Sequence, residues 1–184
     1  GVSGLHLEIS AAIAFAGFAA FLFLSAATDL YTGYVWDFSG FWTACFAGVF
    51  LLLAGDWNHM VLFCVIGWTS FLVAMTGKAG YGDAAPLSAA FSVAMVHFGV
   101  NPFSVEASSV YSIFFLAMSM SGIFHALYLG KKARARTPSF GNGVHQLPVD
   151  VAADFNHGFS LRKMHIPLVP HILVAFLITV VAAP

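Results

Sequence analysis

Charged positions are rare and clustered along this chain, and the intervals between them are long, apolar and free of alternation. Seven Lys and Arg and eight Asp and Glu residues divide it into six such intervals. They are Ile9–Thr28, Phe38–Gly55, Trp57–Gly77, Ala84–Val105, Ala107–Gly130 and Met164–Pro184, each about 18 to 24 residues long. At about 1.5 Å rise per residue, a helix needs about 20 residues to cross a bilayer's hydrocarbon core. A strand of a membrane barrel would need only about 10, with apolar and polar positions alternating. The pattern predicts an all-α, polytopic integral membrane bundle of about six transmembrane helices, a single transmembrane domain over residues 1–184.

The fourth interval is the weakest, because Pro86, His97, Asn101 and Pro102 interrupt it, and a re-entrant or interfacial segment is the alternative to a full crossing. Charge placement argues for a crossing there. With six crossings, the N-terminus and the turns at Asp56 and Glu106 share one side free of Lys and Arg. Lys78, Lys131, Lys132, Arg134, Arg136, Arg162 and Lys163 then share the other, as the positive-inside rule prefers. The N-terminus is accordingly expected on the outer side. Residues 131–163 read as one basic, turn-rich loop containing Pro138, Gly141, Asn142, Gly143 and Pro148. Its basic cluster is expected to set topology and touch lipid headgroups, with a docking surface for a partner subunit as the sharper alternative.

Composition narrows the class. The chain is 60% hydrophobic and 8% charged, with a mean hydropathy of +0.88, against roughly a quarter charged residues in soluble domains. Too few charges remain to cover a soluble surface, so the expected surroundings are a lipid bilayer with bound lipids. A bacterial inner membrane and an organelle membrane fit equally. A net charge of −1 gives no reason to expect nucleic acid. The only cysteines, Cys45 and Cys64, lie inside apolar intervals and cannot build a disulfide framework or a Cys-rich metal site.

No Asp, Glu, Lys or Arg falls well inside a predicted span, which argues against a carrier built on a buried carboxylate. Histidine is the candidate chemistry at membrane depth. Counting from the nearest loop charges places His125 and His171 about 9 and 12 Å in from the basic face, on different helices. Two imidazoles at similar depth are the minimum for bis-histidine ligation of a b-type haem, and one suffices as an axial ligand to chlorophyll. His97 and His59 lie toward the outer side at less well matched depths. All four are candidate cofactor ligands, although a histidine in a span more commonly bonds a neighbouring helix. His165 reads as interfacial. Serines of Met118-Ser119-Met120-Ser121-Gly122 are expected to bond back to their own helix.

Two short patterns complete the inventory. Gly80-Tyr81-Gly82-Asp83 is similar to the end of a potassium-channel selectivity filter, with Trp68-Thr69-Ser70-Phe71 where a pore helix would stand. The family has Thr-Val where this chain has Lys78-Ala79, and a lysine cation there would repel potassium. A tight glycine turn is the expectation. Asp56-Trp57-Asn58-His59 recurs as Asp154-Phe155-Asn156-His157, but the predicted topology places the two on opposite faces. Without a Gly-x-Ser-x-Gly turn or a metal-ligand cluster, neither catalytic nor metal-binding residues are assigned. The sequence points to a non-catalytic membrane subunit of a larger respiratory or photosynthetic electron-transfer complex, in contact with other membrane subunits. A small six-helix channel or carrier for a neutral or weakly acidic solute is the alternative.

Overall fold

A computed structural model describes residues 2–32, 35, 37–76, 81–136 and 167–182. Lys78, Arg162, Lys163, His165, the Asp154–His157 pattern and most of the expected basic loop lie outside the described residues. All elements among the described residues are helical: α1 (Val2–Thr32), α2 (Asp37–Ala54), α3 (Trp57–Met75), a 3₁₀ turn (Tyr81–Asp83), α4 (Ala84–His97), α5 (Ala107–Arg136) and α6 (Val169–Val181). Four stretches are long and apolar enough to cross a membrane: His6–Thr32, Asp37–Ala54, Trp57–Met75 and Ala107–Leu129. The all-α membrane-bundle architecture follows.

The fourth and sixth helices are shorter than their apolar intervals. α4 has 14 residues and α6 has 13, about 21 and 20 Å of rise against a hydrocarbon core of about 30 Å. α4 stops at His97 because the chain reverses at Gly99, whose φ of +63° suits a residue without Cβ. Asn101 and Pro102 then hold a compact non-helical turn. The Phe103 N–H donates to Asn101 Oδ1 at 3.0 Å, and the Tyr111 hydroxyl donates to the Pro102 carbonyl at 2.9 Å. α6 starts at Val169, with Pro170 in its first turn, where a missing N–H has no helical partner to lose. α1 and α5 run past their predicted ends. α5 carries the first cations of the expected loop, Lys131 to Arg136, on its own last turns.

The chain divides into two compact units, residues 1–122 with 167–184, and residues 123–166. In the first unit the helices run alternately up and down. The α2–α3 turn meets the end of α4, where a Cβ on Gly55 would stand 3.2 Å from Val96 Cγ2. The α1–α2 connection meets the start of α4, where a Cβ on Gly82 would stand 2.8 Å from Val35 Cβ. Tyr81-Gly82-Asp83 is thus a tight turn leading straight into α4. The last helix lies antiparallel to α1, with Phe176 edge-on to Phe18 at 5.3 Å and Asp29 beside Val169.

α4 occupies the middle. Ala84, Pro86, Ser88, Ala89, Ala90, Phe91, Ser92, Val93, Ala94 and Met95 are all buried. Its small residues permit close approach: a Cβ on Gly67 of α3 would come within 3.5 Å of Ser88 Oγ. Phe91 supplies the bulk, with ring centroids 4.9 to 5.4 Å from Tyr111, Phe114 and Phe115.

Candidate functional site

The polar side chains buried in the first unit concentrate toward the end where α1 finishes and α6 begins. Ser25, Thr28 and Asp29 of α1, Ser39 and Thr43 of α2, and His171 of α6 are all buried. Most hydroxyls are satisfied by their own helix, as Thr28 is by the Ser25 carbonyl at 3.0 Å and Thr43 by the Ser39 carbonyl at 2.7 Å.

Asp29 differs. Only 2% exposed, it accepts the Val169 N–H on Oδ2 at 2.9 Å. Val169 is the first residue of α6, and its preceding residue, Leu168, makes no side-chain cap. A carboxylate on another helix therefore takes the capping place and faces the positive end of the α6 dipole. The sequence places Asp29 just past the first apolar interval, whereas the structure keeps it in the last turn of that helix. α1 continues to Thr32, so Asp29 lies within the apolar helix and not past it. A readable signal existed: no Gly or Pro lies between Gly17 and Gly33.

Two residues further along α6, His171 is 5% exposed, and its Nδ1 lies 2.8 Å from Ser121 Oγ on α5. A Cβ on Gly122 would be 4.0 Å from His171 Cδ2, so the imidazole lies against a side-chain-free patch of α5. Ser121 thus bonds across helices, against the expectation of bonding back. Ser109 and Ser112 do bond back, to the Glu106 and Ser108 carbonyls. Its partner is 50 residues distant in sequence, beyond the reach of helical periodicity.

At the opposite end, His59 is the third residue of α3 and is 6% exposed. Asp56 is the N-cap, and its Oδ1 accepts the His59 N–H at 3.1 Å. His59 Nδ1 stands 2.6 Å from the same oxygen. So short a contact to a carboxylate places the ring proton on Nδ1. The Asp56 N–H, 3.4 Å from that nitrogen, then has no lone pair to bond. Nε2 is left as a buried acceptor without a hydrogen-bond partner among the described residues. Asp56-Trp57-Asn58-His59 therefore makes the N-cap half of a capping box, the Asp56 carboxylate taking the His59 N–H, with histidine standing at the usual Glu or Gln position. The His59 backbone N–H first, and its ring second, hold the Asp56 carboxyl below its ordinary value. Near the same end, the Ser104 hydroxyl, and then its own backbone, do the same for Glu106.

His97 ends α4, exposed and in the last turn. His125 is half-buried in the part of α5 that belongs to the second unit. Of the four predicted ligands, then, His59 and His97 lie toward one end of the first unit, His171 toward the other, and His125 in a separate unit. Between α3 and α4, a groove of about 250 Å³ is lined by Thr69, Ser70, Val73, Asp83, Ala84, Leu87 and Leu168, with none of the four histidines. Among the described residues no group of three or more His, Cys, Asp or Glu could hold a metal ion. No protein-family model, curated protein or solved structure matches the chain.

Proposed function

We propose that the chain is a non-catalytic integral membrane subunit of a larger electron-transfer assembly of the respiratory or photosynthetic kind. The observation that carries this is the surface of α5. Among its described side chains only Ala107, Val110 and Phe114 are buried. Ser108, Ser112 and Ser119 stand exposed among Phe115, Leu116 and Met120. Small hydroxylated positions between apolar ones suit contact with another membrane helix better than contact with acyl chains. α3 adds a second open face, with Trp57, Val65, Trp68 and Met75 at least half exposed.

Cofactor ligation distributes unequally over the four histidines. The lone pair on His59 Nε2 is the correct chemistry for an axial ligand, with Asp56 on the other nitrogen as such ligands commonly have. Protein encloses that nitrogen, however, and leaves no open face for a porphyrin. His171 is likewise enclosed and holds Ser121. His97 is an exposed ring, which on this reading would meet a haem or chlorophyll at a subunit boundary. His125 is the remaining candidate, in the second unit.

The test is an absorption spectrum of the gently solubilised native protein, oxidised and reduced, beside its size on a native gel. Haem or chlorophyll bands in a large assembly are expected, and His97→Ala or His125→Ala should reduce them. A colourless homo-oligomer would overturn the proposal. Asp29 favours the second reading, a small channel or carrier for a neutral or weakly acidic solute, because intramembrane carboxylates commonly mark solute paths. Flux into liposomes that disappears in Asp29→Asn would select it.

A further inference from the structure

The turn between α2 and α3 carries a small recess of about 110 Å³, lined by Leu51, Leu52, Gly55, Asp56, Trp57 and Met60. Both His59 contacts to the Asp56 carboxylate fall on Oδ1. The Asp56 side chain is 55% exposed, so its second oxygen remains for a ligand. Because the His59 backbone N–H, and then its ring, hold that carboxyl below its ordinary value, it is ionised at neutral pH. The recess also adjoins the C-terminal end of α2, where the helix dipole is negative and the last carbonyls lack helical partners. The Leu51 carbonyl takes the Gly55 N–H at 3.0 Å, and no basic residue stands in the last turn of α2 to meet the others. The chain supplies no cation nearby in sequence: no Lys or Arg precedes Lys78, and none lies between Lys78 and Lys131.

The walls select the kind of cation. Trp57 is 76% exposed, and an indole face attracts cations more strongly than other aromatic rings do. Leu51, Leu52 and Met60 add apolar and thioether surface, which suits methyl groups and offers an ammonium N–H no strong acceptor. At about 30 Å³ for each water-sized atom, the recess takes a group of about four heavy atoms. That is far below the roughly 300–1,000 Å³ of a pocket for a drug-sized ligand. We infer that this recess binds a quaternary ammonium group, with the Asp56 carboxylate as counter-ion and the Trp57 indole as aromatic wall. A tryptophan at a helix end commonly serves as an interfacial anchor alone. Here the carboxylate and the negative helix end beside it add recognition. A lipid headgroup and a free solute can both carry such an ammonium, and the chemistry of the site is the same for each.

The test titrates the full chain in a non-ionic detergent with tetramethylammonium chloride, against sodium chloride at equal ionic strength. The indole N–H signals of the four tryptophans are followed by NMR. The Trp57 signal, identified by its loss in Trp57→Phe, should shift and saturate while the other three stay unchanged. Asp56→Asn keeps an N-cap of equal quality and should raise the half-saturating concentration by about fivefold. Glu106→Gln, in the α4–α5 connection, should leave it unchanged. The inference is overturned by the lack of a saturable Trp57 shift, by an equal shift with sodium chloride, or by equal weakening in Asp56→Asn and Glu106→Gln. Equally tight binding of methylammonium would overturn the assignment to a quaternary group, as would suppression of the shift by phosphatidylethanolamine. Suppression by phosphatidylcholine alone assigns the site to a lipid headgroup, and suppression by neither lipid assigns it to a free solute. Should Asp56→Asn fail to fold, Trp57→Leu at its exposed position decides. Saturation transfer to the tetramethylammonium methyl protons should then report binding weakened by about two- to fivefold, and unchanged binding counts against the site.

Discussion

Helices α4 and α5 reverse the ranking that uninterrupted apolar length suggests. α4 comes from the most interrupted of the six apolar intervals, rich in Ala and Ser and broken by Pro86 and His97. α5 comes from the longest. Yet ten of the fourteen α4 residues are buried, while α5 buries only Ala107, Val110 and Phe114 among its described side chains. In a bilayer the lipid is as apolar as a protein core, so greasiness does not pull a helix inward. Close approach does, through small side chains that let backbones near one another and so add dispersion contacts. Uninterrupted apolar length therefore does not mark the centre, and the small-residue helix occupies it.

The contrast can be broken most directly by truncating one large side chain on each helix. Phe91→Ala, fully buried among three aromatic rings, should lower stability by about 3–5 kcal/mol. Leu116→Ala, 64% exposed on α5, should stay within about 0.5 kcal/mol. Unfolding both variants in one detergent compares them, and equal losses would mean α4 is not the centre. The next effect concerns α6, which shares α4's shortness and leans on its neighbours. Asp29→Ala leaves the Val169 N–H without its partner and should cost about 1–3 kcal/mol. Asp29→Asn keeps an acceptor oxygen and should cost less. Hydrogen exchange confined to the first turn of α6 would register the difference, and identical exchange in both variants would deny Asp29 its capping role.

Smaller still is the effect of the Ser121–His171 hydrogen bond between α5 and α6. A double-mutant cycle on Ser121→Ala and His171→Ala should return a coupling of about 0.6 kcal/mol, the average for hydrogen bonds between membrane helices. A coupling near zero would mean that this hydrogen bond does not help to hold α5 against α6. The smallest effect is at the α2–α3 turn. Because the Asp56 carboxyl is held below its ordinary value by His59, its contribution is complete above the ordinary aspartate range. It fades as pH falls through the lowered folded value, below about pH 4. Acid titration of stability should lose part of its slope in Asp56→Asn, leaving the portion due to Glu106. An unchanged slope would remove Asp56 from the account.

Much of the scaffold was legible beforehand. Charge spacing located α2 and α3 to within two residues and placed the start of α5 at Ala107. Asn101 and Pro102 carried the signal that α4 would end early, and Gly99 was added by the structure. The candidate site was legible only as a set of residue types. His59 sat in a capping motif whose acid and third residue were both visible in Asp56-Trp57-Asn58-His59. Burial of Nε2 was not visible, because it depends on what packs above the turn.

What the sequence determined by itself was therefore local: apolar length, helix ends, and the crowding of cations after Gly130. These follow from interactions within a few residues along the chain and from the energy of placing a side chain in lipid or water. Tertiary structure alone decided that the Ala- and Ser-rich helix lies at the centre. It also brought Asp29 to the first turn of a helix 140 residues away, and Ser121 to His171. Such pairings depend on which helices become neighbours, and in a bilayer nearly every apolar face is an acceptable neighbour until small-residue packing and a few buried hydrogen bonds select among them.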